Sequence, residues 1–80
     1  MQNTNHPDLK KTVSRNIRRL MRERCIYIST LVEKTGISYN TALNIRSGRH
    51  LPSMENAVAI AEAIGVTVDE LIAVGEIEQK

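Results

Sequence analysis

Residues 31–48 read LVEKTGISYNTALNIRSG, and this stretch has the pattern of two helices joined by a tight turn. Gly36 stands where the end of a helix takes a positive φ, a conformation that is cheap only for glycine. Ile37 follows as an apolar residue beneath the turn, and Ser38 is a good N-cap for the next helix. Gly48 is expected to end that helix for the same reason, because glycine takes a positive φ at low cost. The spacing therefore predicts a helix-turn-helix whose second helix covers about residues 39–47.

Apolar periodicity predicts two helices before this turn. The first runs from about Asp8 to Arg24, and Pro7 suits its first helical position. Its apolar face is formed by Leu9, Val13, Ile17, Leu20 and Met21. Thr12 and Ser14 are mediocre helix formers, so the well-formed part is expected to start near Val13. The second helix covers about residues 28–35, and its inward positions are Ile28, Leu31 and Val32.

Two further helices are predicted after a loop at residues 49–52. Ser53 caps the fourth helix, which ends at Gly65 and has an apolar stripe of Met54, Ala57, Val58, Ala61 and Ile64. Thr67 and Glu70 have the spacing of a capping box for a short fifth helix. That helix ends at Gly75 and closes the core with Leu71, Ile72 and Val74. We therefore expect an all-α, compact five-helix domain at residues 8–75, between a flexible arm at 1–7 and a polar tail at 76–80.

Length and composition narrow the class of protein. Eighty residues form one small domain, and the single cysteine, Cys25, excludes an internal disulfide. No apolar run approaches the roughly 18 residues of a membrane span, and the first residues do not resemble a signal peptide. A soluble intracellular protein with no membrane partner is predicted.

Charge is distributed very unevenly along the chain. Residues 1–50 contain ten Lys and Arg against three Asp and Glu, a net charge of +7. Residues 51–80 contain one Lys against six acids, a net charge of −5. The basic half is the half that contains the predicted turn, which is the distribution expected of a protein that binds nucleic acid.

The third helix has an outer face suited to reading DNA bases. At about 100° per residue, Ala42 and Ile45 share the inner side of this helix. The outer side carries Tyr39, Asn40, Leu43, Asn44 and Ser47. Asparagine is a poor helix former, but its amide pairs bidentately with adenine in the major groove. Leu43 can touch a thymine methyl group, and Tyr39 can reach a phosphate or a base edge.

Phosphate contacts require positive charge and free N–H groups at helix N-termini. The start of the second helix offers N–H groups and hydroxyls at Ile28, Ser29 and Thr30. Arg46 lies on the flank of the third helix, and Arg49 and His50 follow it in the loop. The arginines of the first helix either form a solvated face or supply one or two further contacts: Arg15, Arg18, Arg19 and Arg22.

With these residues assembled, the chain resembles the lambdoid-phage repressor and Cro family of helix-turn-helix domains, also called Xre-like. The resemblance covers about residues 13–72. It rests on the segments IRRL at 17–20, Leu31 to Ser38, Ile45, SGR at 47–49, PS at 52–53, IAEAIGV at 60–66 and DEL at 69–71. It implies a lambda-repressor-like bundle that binds operator DNA, usually as a two-fold dimer. It also implies that Ser38, Tyr39, Asn40 and Asn44 occupy base-reading positions.

The chain departs from the family pattern at several positions. Ile28 stands where members usually have a phosphate-contacting Gln, and Tyr27 stands where they have a Ser or Thr cap, so only backbone N–H groups are left at that helix start. Val32 replaces a small residue. Many members link the first and third helices with an Arg–Glu pair, but these positions are Met21 and Arg46 here. Losing both partners together avoids a stranded charge and frees Arg46 to face phosphate.

Catalytic and metal chemistry is not predicted. Cys25, His6 and His50 are too few and too scattered for the three or four ligands of a zinc site, and Cys25 is read as structural. The chain has no glycine-rich phosphate loop, paired-carboxylate cleft or Ser/His/Asp set. We therefore expect no enzyme activity, no cofactor and no small-molecule ligand.

The resulting hypothesis is a sequence-specific transcriptional regulator, a repressor, that binds a palindromic operator in double-stranded DNA as a homodimer. The two third helices would lie about 34 Å apart, in successive major grooves. Candidate dimer contacts are Leu51, Met54, Ile72 and Ile77. The expected location is the cytoplasm of a bacterial or phage-infected cell. The sequence is compatible both with a stand-alone Cro-like repressor and with a piece of a longer repressor.

Two alternatives remain open. An antitoxin would use the same fold to bind an operator and to hold a toxin. A protein-interaction module would have kept the fold and lost DNA binding, an interpretation favoured by Ile28, Val32 and an exposed Leu43. If the protein is an interaction module, we expect no salt-dependent association with duplex DNA. If it is a regulator, we expect its binding constant for DNA to fall clearly as salt rises.

Overall fold

The computed structural model describes residues 8–74, which form five helices. The helices are α1 Leu9–Glu23, α2 Ile28–Thr35, α3 Tyr39–Ser47, α4 Met54–Ile64 and α5 Val68–Ile72. The predicted all-α, five-helix architecture is confirmed. The arm at 1–7, the tail at 76–80, His6, Gly75 and Ile77 lie outside the described residues, so the domain boundaries stay a prediction. None of the described helices combines the length and the apolar character needed to cross a membrane.

Helix α1 is regular from Leu9 onward, whereas its composition predicted a well-formed helix only from about Val13. Asp8 is the N-cap and its carboxylate accepts a hydrogen bond from the Lys10 N–H at 3.1 Å, so the first residue of the described helix is Leu9. Thr12 and Ser14 lie inside a regular helix and are buried. Leu9 is 41% exposed, whereas the rest of the predicted stripe is buried. Poor intrinsic propensity is overridden here because both polar side chains pack inside the fold.

The end of α1 is a Schellman motif with a cysteine in the glycine position. The Ile26 N–H donates to the Met21 carbonyl at 2.8 Å, and the Cys25 N–H donates to the Arg22 carbonyl at 3.2 Å. This geometry requires a left-handed residue at Cys25, whose φ is +57°. Ile26 packs against the core, as the residue after such a turn usually does. The Cys25 side chain is exposed, and its assignment as a structural residue stays a prediction.

We expect Cys25→Gly to raise the free energy of unfolding by about 0.5–1 kcal/mol. A left-handed conformation costs a non-glycine residue about 1–2 kcal/mol, and the greater freedom of glycine in the unfolded chain offsets part of that gain. Thermal unfolding followed by circular dichroism measures the change. Cys25→Ala is the control, because it removes the thiol but keeps the Cβ, and it should bring no gain. A glycine variant less stable than the alanine variant would contradict this account.

The core is aliphatic and is shared by all five helices. Helix α1 packs against α3 and α5, α2 packs against α3 and α4, and α4 packs against α5. The buried apolar residues are Val13, Ile17, Leu20, Met21, Leu31, Ile37, Ala42, Ile45, Ala57, Ile60, Ala61, Ile64 and Leu71. Partly buried Ile28 and Val32 pack against this cluster. The inward positions predicted for α2 and α3, and the apolar plug at Ile37, are confirmed.

The predicted inward faces of α4 and α5 need correction. Ile60 is completely buried, whereas Met54 is 76% and Val58 40% exposed. The true stripe of α4 has the spacing i, i+3, i+4, i+7 and consists of Ala57, Ile60, Ala61 and Ile64. In α5 only Leu71 is buried, because the helix ends at Ile72 and the chain continues in extended conformation at Ala73. Ile72 and Val74 are exposed and do not close the core.

Polar side chains in and just after α1 bind the C-terminal ends of three other helices. The Ser14 hydroxyl donates to the Arg46 carbonyl of α3. The Asn16 amide donates to the carbonyl of Leu71 in α5 and to that of Ala73 just after it, at 2.7 and 2.9 Å. The Arg24 guanidinium donates to the Ile64 and Gly65 carbonyls of α4 at 3.4 and 3.3 Å. The last carbonyls of a helix have no intrahelical donor, so α1 supplies partners that these ends would otherwise lack.

Candidate nucleic-acid interface

Helix α3 is held at both ends and on one face. The Ser38 hydroxyl accepts a hydrogen bond from the Thr41 N–H at 3.1 Å, which confirms the predicted N-cap. Gly48 ends the helix in the left-handed region with φ +87°. Ala42 and Ile45 are buried, so the opposite side of the helix is turned toward solvent. The short helix is therefore fixed in position with one face available to a ligand.

The predicted base-reading residues lie on that available face. Ser38, Tyr39 and Asn40 are exposed, and Leu43 and Asn44 are half-buried. Neither asparagine amide makes a hydrogen bond to another group within residues 8–74, so both are free to pair with a base edge. The structure brings the five residues together along the outer side and first turn of one helix. Whether they read bases stays a prediction.

The hydrogen bonds that Ser38 can offer to a ligand are limited, because its hydroxyl already makes two hydrogen bonds to Thr41. It donates to the Thr41 hydroxyl at 2.8 Å and accepts from the Thr41 N–H. A hydroxyl has one proton and two lone pairs, so Ser38 can only accept one further hydrogen bond while the cap is intact. It therefore fits a base that donates, such as the amino group of cytosine or adenine.

Within the described part of the chain, the start of α2 has backbone donors with no hydrogen-bond partner. Tyr27 is the N-cap residue and makes no side-chain capping bond, as its side chain predicts. The N–H groups of Ile28, Ser29 and Thr30 precede the first intrahelical bond, which runs from the Leu31 N–H to the Tyr27 carbonyl at 3.0 Å. N–H groups in this position, at the positive end of the helix dipole, attract anions.

The loop after α3 folds back onto that helix. The N–H groups of Arg49 and His50 both donate to the Asn44 carbonyl, at 2.9 and 3.2 Å. Both side chains are exposed and are kept beside the last turn of α3, while Arg46 on the helix is half-buried. No carboxylate pairs with these three side chains within the described part of the chain. The structure thus gathers positive charge at one end of the outer face.

The arrangement has known counterparts. The family model of the Cro/C1-type helix-turn-helix DNA-binding domain matches residues 16–74, well over half of the chain. The protein belongs to this family. Its α2 and α3 are accordingly the helix-turn-helix of a DNA-binding domain.

One curated relative is a phage protein. The chain is 42% identical over 41 residues to the cryptic phage CTXphi transcriptional repressor RstR of Vibrio cholerae serotype O1, strain ATCC 39315 / El Tor Inaba N16961. The match covers 51% of this chain and 37% of that protein. The chain therefore matches little more than a third of the length of this repressor.

In this Cro/C1-type domain, a contact between α1 and α3 was missed by sequence reasoning. Ser14 is 2% exposed and donates to the main chain of Arg46, and Gly48 lies close enough that a Cβ there would meet the Ser14 Cβ at 3.4 Å. The only sequence signal was a serine in the middle of a helix, which was interpreted as a residue that weakens helix formation. The bond fixes the C-terminal end of α3 although the Arg–Glu pair of related domains is absent.

The described residues hold no group of three or more His, Cys, Asp or Glu side chains that could bind a metal ion. Cys25 lies at the end of α1 and His50 in the loop after α3, so these two candidates sit on different segments.

Proposed function

We propose that this protein is a sequence-specific transcriptional regulator, a repressor, that inserts α3 into the major groove of operator DNA. The observation that carries the proposal is the outer face of α3, where two uncommitted asparagine amides project from a helix capped at Ser38 and Gly48. A helix kept only for packing gains nothing from two poor helix formers on its solvent face. Membership of a DNA-binding family and similarity to a phage repressor support the same function.

Each outer residue has a distinct proposed role. Asn40, in the first turn, enters the groove deepest and pairs with adenine, and Asn44 reads a base one turn later. Leu43 touches a thymine methyl group from its half-buried position. Tyr39, which is 53% exposed, contacts a base edge or phosphate. Ser38 accepts a hydrogen bond from a base amino group.

The phosphates on either side of the groove are bound by two groups of residues. The first is the start of α2, through the N–H groups of Ile28, Ser29 and Thr30 and the two hydroxyls. The second is the end of α3 and its loop, through Arg46, Arg49 and His50. These contacts fix the register of the protein on the duplex and carry no sequence information.

The regulator is proposed to act as a homodimer on a palindromic site. An apolar groove of about 220 Å³ lies between the start of α1, the loop after α3 and α5. Leu51 and Ile72, at 47% and 43% exposure, line it together with Met54. The predicted contacts Leu51, Met54 and Ile72 are thus neighbours in space, and a second copy related by a two-fold axis is the proposed occupant. Two copies place two third helices on one face of the duplex.

Selection of bound duplexes from a random pool, followed by footprinting, tests function and stoichiometry together. The expected result is a palindromic consensus whose half-sites are about one helical turn apart. An asymmetric consensus would contradict the homodimer and leave sequence-specific binding intact. Failure to enrich any duplex, together with no salt-dependent association, would contradict the regulator and favour a protein-interaction module.

We expect Arg49→Ala to weaken binding about equally on the operator and on unrelated duplex. Its guanidinium neutralises a phosphate in this proposal, so the slope of log K against log salt should become shallower by about one. Equilibrium titrations at four or five salt concentrations measure both quantities. His50→Ala, next to it, should leave the slope nearly unchanged at a pH where histidine is neutral. An unchanged slope in the Arg49 variant would remove this residue from the phosphate set.

A further inference from the structure

Helix α1 has a row of cations on one face. Lys11, Arg15, Arg18 and Arg22 are spaced by four, three and four residues, which places them one above another along the helix. All four are exposed. At 1.5 Å per residue the row is about 16 Å long. We call these four residues the basic stripe.

The basic stripe borders two clefts, and α3 forms part of the wall of both. The larger cleft, of about 590 Å³, is lined by three arginines: Arg18, Arg22 and Arg46. The smaller cleft, of about 350 Å³, is lined by Lys11, Arg15 and Arg18 beside Ser47 and Gly48. Arg18 lines both clefts and is therefore the centre of this positive surface.

Among the described residues, no acid lines either cleft. Among residues 8–74 the single ion pair joins Arg19 to Glu23 at 3.4 Å, and neither residue lines a cleft. No Asp or Glu is among the residues that line the two clefts. Guanidinium groups that converge without a carboxylate repel one another, and an arriving anion relieves that repulsion. Arginine in particular presents a planar fork that matches the oxygens of a phosphate.

The walls of the larger cleft are apolar. Met21, Ile26 and Tyr27 line it, and the Tyr27 side chain is 74% exposed. A cleft lined by apolar side chains together with arginines suits a ligand that has both an apolar and an anionic part. A deoxyribose with its phosphodiester has this character.

We propose that the basic stripe, together with Arg46, binds successive phosphates of the DNA strand that passes beside α3. The inference rests on the proposed function, because α3 must enter the major groove to bring its C-terminal flank near a strand. Arg46 and Ser47 come two and three residues after Asn44 in α3, so the clefts lie at the side of the reading helix, where the groove wall is formed by phosphates. Helix α1 is then part of the DNA interface as well as of the core.

Arg18→Gln tests the proposal, and Arg19→Gln is its matched control. Both variants remove one positive charge from an exposed position of α1, but only Arg18 lines the clefts. We expect Arg18→Gln to make the slope of log K against log salt shallower by about 0.9 and to weaken binding about tenfold on any duplex. Arg19→Gln should change both quantities much less, and Arg18→Gln/Arg46→Gln should lose close to two units of slope.

Alkylation of Cys25 gives an independent readout, because this exposed thiol lines the larger cleft. Saturating duplex DNA should slow its reaction with N-ethylmaleimide severalfold in the wild-type chain. The control is Cys25→Ser/Glu62→Cys, whose thiol stands at an exposed position of α4 outside both clefts and should react at the same rate with and without DNA.

Different results separate this proposal from the function on which it rests. Equal slopes for Arg18→Gln and Arg19→Gln, or alkylation of Cys25 that DNA does not slow, would overturn the basic-stripe interface while wild-type binding still supported the regulator. A wild-type chain with no salt-dependent binding would overturn both.

Discussion

Asn16→Leu should lower the free energy of unfolding by about 2 kcal/mol and the Tm by about 10 °C. The Asn16 side chain is 7% exposed and donates to both the Leu71 and Ala73 carbonyls. Leucine has nearly the same shape, so the space stays filled, but two carbonyls at the end of α5 lose their donor. An unsatisfied buried polar group costs about 1–3 kcal/mol, which the greater hydrophobicity of leucine only partly offsets.

Asn56→Leu is the matched control for this prediction. It makes the same chemical change on α4, at a half-buried side chain that makes no hydrogen bond within the described residues. Its free energy of unfolding should stay within about 0.5 kcal/mol of the wild type. Thermal unfolding measures all three proteins, and hydrogen exchange of α5 amides shows where the loss lies. Equal effects of the two substitutions would refute the role assigned to Asn16.

Asn40→Ala should weaken binding to the operator by about 1–3 kcal/mol, which corresponds to roughly five- to 150-fold. The amide is exposed on the first turn of α3, and in the proposed complex it makes a bidentate pair with adenine. Binding to unrelated duplex should change far less, because phosphate contacts dominate there. Titration of both duplexes at one salt concentration measures the ratio.

Unfolding cannot account for such a loss in this variant. Alanine is the better helix former and no hydrogen bond of Asn40 within residues 8–74 is removed, so thermal stability should stay equal or rise slightly. The Asn40→Ala protein should also accept a wider range of bases at one position of each half-site. Equal weakening on the operator and on unrelated duplex would mean that Asn40 does not read sequence.

The helix-turn-helix was predictable because its signals are local. A glycine at a left-handed helix end and a serine cap each act over three or four residues, and Gly36 and Ser38 behave as their neighbours in the chain predict. The capping box of Thr67, at the start of α5, was predictable for the same reason. The errors came at the edges of the core. Met54 and Ile72 are apolar residues at helix ends that extend past the buried layer, and periodicity alone cannot show where that layer stops.

In the candidate site, too, features that depend on one helix were predictable, and features that depend on the packing of two helices were not. The exposure of Asn40 and Tyr39 follows from the period of a single helix and was predicted. The pairing of α1 with the C-terminal end of α3 depends on how two separate helices pack. For that reason the sequence could not show which of the α1 arginines converge with Arg46, or that Ser14 binds its carbonyl.

Within residues 8–74, every side-chain hydrogen bond that α1 and its C-cap Arg24 donate to the other helices or to the residues just after them ends on a main-chain oxygen. Main-chain acceptors are the same for any amino acid, so the scaffold is indifferent to which side chains α3 exposes. Residues such as Tyr39, Asn40 and Asn44 can therefore be exchanged without retuning the rest of the molecule. In the proposed mode of binding, a lineage of such proteins could change its DNA targets rapidly while its architecture stayed constant, and a designer could graft a new specificity onto this frame by altering a single surface.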